Sequence, residues 1–143
     1  MLGMAGWKDF TEIIAWQRAR VLKSEVDQLL RKPEIARNYK FRDRLSDAAR
    51  SAPRNIAEGF ARFSNKEFAR FTRIARGSES EVINHLLDGY DQGLITEGEL
   101  ASVSRTARRA IGAAVGLIHH LETTPEAARP VPRNRRNPRN SRN

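Results

Sequence analysis

The sequence predicts an all-α protein, an antiparallel up-and-down four-helix bundle. Three observations predict it. Four long segments repeat apolar residues every three or four positions. The joints between them, residues 31–37, 61–63 and 91–95, are short, as antiparallel neighbours require. No stretch alternates apolar and polar residues as a strand would. With 143 residues the chain is long enough for one core and hardly for two.

The first segment runs from about Asp9 to Leu30. Ile13, Trp16, Ala19, Leu22, Val26 and Leu29 form its stripe, which Ile14 and Leu30 widen. Pro33 is expected to end it. The second runs from about Asn38 to Phe60, with Phe41, Leu45, Ala48, Ala52 and Ile56 on one face. The third follows Ser64, where Ser64 and Glu67 have the spacing of a capping box, and reaches about Tyr90. Phe68, Phe71, Ala75, Ser78, Val82, His85 or Leu86, and Gly89 carry its stripe. The fourth begins near Thr96, with a second capping box to Glu99, and continues through Leu100, Val103, Ala107, Ala110, Ala114, Leu117 and Leu121. Gly112 and Gly116 lie inside it, which suggests that something packs close to its backbone.

This divides the chain into an N-terminal arm (1–8), a bundle (9–122) and a tail (123–143). The tail has four prolines, no aromatic residue and no Leu or Ile, and is read as disordered. It also carries the charge. The formal net charge is +9, and Arg129, Arg133, Arg135, Arg136, Arg139 and Arg142 account for six of the 26 basic residues. The body, by contrast, is nearly balanced. There are no cysteines, which excludes disulfides, cysteine zinc sites and thiol catalysis and fits a cytoplasmic protein. No signal peptide and no membrane span are expected.

The stretch APRNIAEGF, Ala52 to Phe60, holds a proline inside a helical pattern. Pro53 must either kink the helix or start a new turn, one that Ser51 would cap. Asn55 and Glu58 lie beside the apolar stripe, and Glu58 is spaced to pair with Arg54. RIARGSESE in the third segment repeats the pattern with Arg76, Ser78 and Glu81. An antiparallel hairpin around residues 61–64 brings residues 55–58 near about 67–70 and residues 45–48 near about 77–81, so Arg73 or Arg76 would reach Glu58 from another register or from another chain. Asn55, Glu58, Arg76, Ser78 and Glu81 are expected to form a structural polar network; a ligand contact or a catalytic centre is the alternative. No Glu-x-x-His pair supports a di-iron site, and GAAVG is no phosphate loop. No catalytic residue, metal or cofactor is expected.

FTEIIAWQRAR, RLSDAARSAPRNIAEGFARFSNKEFARFTRIARGSESEV and LLDGYDQGLIT resemble a bacterial family of four-helix-bundle proteins found in intervening sequences of 23S ribosomal RNA genes. The resemblance covers about Phe10 to Leu121. It rests most on Asn55-Ile56-Ala57-Glu58-Gly59, Ser64, Phe68 and Ala75-Arg76-Gly77-Ser78 with Glu81. It implies assembly as a homopentamer. A more distant similarity, to the accessory variability determinant of diversity-generating retroelements, implies work with nucleic acid and a reverse transcriptase. Where the family often has an Arg-Arg pair, this chain has Ser46 and Asp47, with Arg50 and Arg54 further on.

The expected function is therefore non-enzymatic: an oligomer that binds RNA or DNA through phosphate contacts, with little sequence preference. Arg50, Arg54, Arg62 and the six tail arginines would make those contacts. Too few exposed aromatic residues are available for base stacking. The alternative is a scaffold or adaptor for a protein partner, such as a reverse transcriptase or a ribonucleoprotein.

Overall fold

The computed structural model describes residues 6–125. Their order is a 3-10 turn (Phe10–Glu12), then α1 (Ile14–Leu29), α2 (Pro33–Arg37), α3 (Tyr39–Ala61), α4 (Asn65–Asp91) and α5 (Glu97–Thr123). The four long helices close a ring in which α1 touches α3 and α5, and α4 touches α3 and α5. Ile14 lies beside Gly116 and His120 at one end of the α1–α5 seam, and Leu29 beside Gly98 and Val103 at the other. That pair is therefore antiparallel, as expected of an up-and-down bundle.

The ends of the helices follow from local chemistry. The Asp9 carboxylate accepts from the Thr11 amide at 2.7 Å and holds the 3-10 turn. Ile13 is then extended and buried, so α1 starts five residues later than its periodicity suggests. Ile14, expected to widen the buried stripe, is 64 % exposed. Pro33 does not merely stop α1; it opens α2, because the first position of a helix needs no amide donor. Asn38 caps α3, and Ser64 caps α4 by accepting from the Glu67 amide at 3.2 Å. Both halves of the Thr96–Glu99 capping box form, and Lys32 reaches the same Glu99 carboxylate at 2.7 Å.

Pro53 does not break α3. Its ring is buried, and the Asn55 side-chain amide donates to the Ser51 carbonyl at 2.8 Å, clasping the turn that the proline weakens. Ser51 is thus not the cap of a new helix.

The core divides in two. One cluster gathers Leu22, Val26, Phe41, Leu45, Val82, Leu86 and Val103 with their neighbours. The other gathers Ile13, Ala19, Ile56, Phe68, Ala75, Leu117 and Leu121. Trp7, Phe10 and Trp16 pack against the second cluster, with Trp7 edge-on to Phe68 and His120.

Candidate functional site

Two places gather the polar residues. The first is the seam between α3 and α4. The Ser78 hydroxyl donates to Ser51 Oγ at 2.7 Å, with the Ile74 carbonyl at 3.1 Å as its other acceptor. Asn55 Nδ2 also donates to Ser51 Oγ, at 3.0 Å. Ser51 therefore joins Asn55 to Ser78, a role its sequence position did not suggest. Three expected members of the network stand apart. Glu58 is exposed and pairs with Arg62 at 2.9 Å rather than with Arg54. Arg76 and Glu81 are exposed on α4. Beside the seam runs an open groove of about 560 Å³, edged by Arg44, Asp47, Arg54, Glu81, His85 and Asp88. Its charges are mixed, and among the described residues no cluster of His, Asp and Glu is arranged to hold a metal ion.

The second place is the outer surface of the helices. Arg50 is exposed but held by Asp27 at 3.2 Å and by the Ser46 hydroxyl at 2.5 Å. Arg62 pairs with Glu58 and lies over the Phe71 ring at 5.1 Å. Arg54 is exposed at the edge of the groove. Arg129, Arg133, Arg135, Arg136, Arg139 and Arg142 lie outside the described residues. Of the three arginines outside the tail expected to meet phosphates, Arg50 and Arg62 are thus already partnered by carboxylates.

Sequence reasoning missed a set of residues on α5. Arg105, Arg108 and Arg109 are exposed and share one face of the helix. Glu99 and Glu122 are the nearest acidic residues on that helix, so no carboxylate lies between them to neutralise the face. The spacing i, i+3, i+4 is visible in the sequence, but it is overshadowed there by the apolar stripe on the other side of the same helix. The arginine face continues through Gly112, Val115 and Gly116. A side chain at either glycine would meet nothing within 4 Å, so the close packing expected there is not made among the described residues.

Glu79 was missed as well. It is fully buried, and neither carboxylate oxygen has a hydrogen-bond partner. Burial pushes its carboxyl up to about 8 from an ordinary 4.5. It lies four residues after Ala75 and three before Val82, on the apolar stripe. That spacing is the signal, although the helical period admits its neighbour Ser78 to the stripe equally well.

A profile of the 23S rRNA-intervening sequence protein family matches residues 11–113, most of the chain. The chain belongs to that family. A search among curated proteins found no match. No helix among the described residues is long and apolar enough to cross a membrane.

Proposed function

We propose that this member of the 23S rRNA-intervening sequence protein family is a non-enzymatic helical module that binds the phosphates of RNA or DNA with little sequence preference. The observation that carries this reading is the exposed face of Arg105, Arg108 and Arg109, in a stretch of α5 with no acidic residue between Glu99 and Glu122. Guanidinium groups on one helical face meet successive phosphates and release counterions. Arg54 and the tail arginines add charge of the same sign, whereas Arg50 and Arg62 are partly neutralised by their carboxylates. Self-association, as the homopentamer that the family resemblance implies, would repeat the face around a ring. The half-exposed Val115 between Gly112 and Gly116 offers a low, apolar surface for such a contact.

The test is fluorescence anisotropy with labelled RNA and duplex DNA across a salt series. Full-length protein is compared with R105A/R108A/R109A and with a chain ending at Ala128. Binding should weaken steeply with salt, and removing one arginine–phosphate pair should flatten the log–log slope by about 0.7–0.9. Salt-insensitive binding, or none at low salt, would overturn the proposal. In that case a nuclease-treated pull-down would test the alternative role as a protein adaptor.

A further inference from the structure

Among the described residues, Glu79 is the only charged-type side chain with no exposure. It lies between Ala75 and Val82, which belong to different core clusters. The Ser51–Ser78 and Asn65–Thr124 hydrogen bonds fix the antiparallel register of α4 with α3 and α5. That register puts Glu79 level with Ala49 and Ala52 on α3 and with Ala110 on α5. The Asp27–Arg50 pair brings the stretch from Leu22 to Val26 of α1 to about the same height. Ala49, Ala52 and Ala110 are all fully buried, and Ala110 belongs to neither cluster. At this waist three buried alanines of α3 and α5, together with Leu22 and Val26 of α1, stand level with one long side chain of α4, and that side chain ends in a carboxyl.

The cost of an unpartnered buried carboxylate is far greater than that of the neutral acid. We propose that Glu79 is a proton-operated latch: protonated, it lets the two core clusters stay joined, and its ionisation parts α4 from α5 at the waist so that the carboxylate reaches water. Among the described residues no charged group in the native packing relieves it. On α1, Lys23 and Asp27 pair with each other at 3.1 Å, and Glu25 is half-buried. On α3, Arg50 is held by Asp27, while Asp47 and Arg54 are exposed. On α5, Arg105, Arg108 and Arg109 are exposed, as are Arg76 and Glu81 on α4 itself. His85 is half-buried and edges the α3–α4 groove.

The test is amide hydrogen exchange on the full chain at pH 6 and pH 9, corrected for intrinsic rates, with E79Q and E79M alongside. In the native protein the opening constant of amides 75–83 and 107–114 should rise about a hundredfold between the two pH values, and more than at the helix ends. Neither variant should show that rise. A native-protein response matched by both variants would overturn the latch. So would a Glu79 carboxyl that titrates by NMR near its ordinary value, a measurement that needs no variant to fold. E79M fills the same space without titrating, and carries the comparison should E79Q fail to fold.

Discussion

Ser51 and Ser78 meet hydroxyl to hydroxyl at 2.7 Å, one on each of the two central helices of the chain. Ser51 also accepts from Asn55, so a single oxygen ties the proline-bearing turn of α3 to the middle of α4. Ser78→Ala removes the hydroxyl that Ser51 Oγ and the Ile74 carbonyl share and should cost about 1 kcal/mol in urea unfolding. Ser51→Ala removes an acceptor from two donors and should cost about 1–2 kcal/mol. The double variant should cost less than the sum of the singles, since both remove the same bond. Strict additivity would mean that the pair does not couple the helices.

Gly59 and Gly77 should respond in opposite directions to alanine. A Cβ at Gly59 would lie 2.8 Å from both Phe68 Cδ1 and Phe71 Cβ, where α4 crosses close to α3. Gly59→Ala should therefore destabilise by about 1–3 kcal/mol, despite the better helix propensity of alanine. A Cβ at Gly77 would meet nothing within 4 Å. Gly77→Ala should stabilise by up to about 1 kcal/mol. Thermal or urea unfolding of the two variants distinguishes the sites, and equal shifts would contradict the close approach at Gly59.

The contrast between these glycines shows what was legible in the sequence. Helix existence was, because Phe41, Leu45, Ala52 and Ile56 repeat on one face and Thr96 with Glu99 marks a start. Helix ends were less so. Asp9 caps a separate 3-10 turn rather than α1, and Pro33 begins α2; both depend on which backbone donors are already used. The polar network was legible as a neighbourhood but not as a set of partners. Ser51 has the spacing of a cap, while Glu58 is spaced equally for Arg54 and Arg62, and the structure chooses Arg62. A glutamate on an apolar stripe reads as an error of spacing until the opposing residues prove to be alanines.

Opposed carboxyl effects predict where the fold is most stable. Glu79 is raised in the folded state by burial, so its folded form holds a proton that the unfolded chain gives up near 4.5. Its favourable contribution is complete below that value and is lost as pH rises through about 8. Glu99 has the other sign. Burial works to raise it, but Lys32 and the Thr96 cap outweigh that and hold it below 4.5. The stability it supplies is present above 4.5 and is lost as pH falls through its lowered value. Urea unfolding should therefore find the protein about 2–4 kcal/mol more stable at pH 5 than at pH 8. The decisive quantity is the difference between native protein and E79M. E79M should remove most of that slope and be the more stable of the two at pH 8. A slope that persists unchanged in E79M would assign it to other groups and leave Glu79 with an ordinary carboxyl.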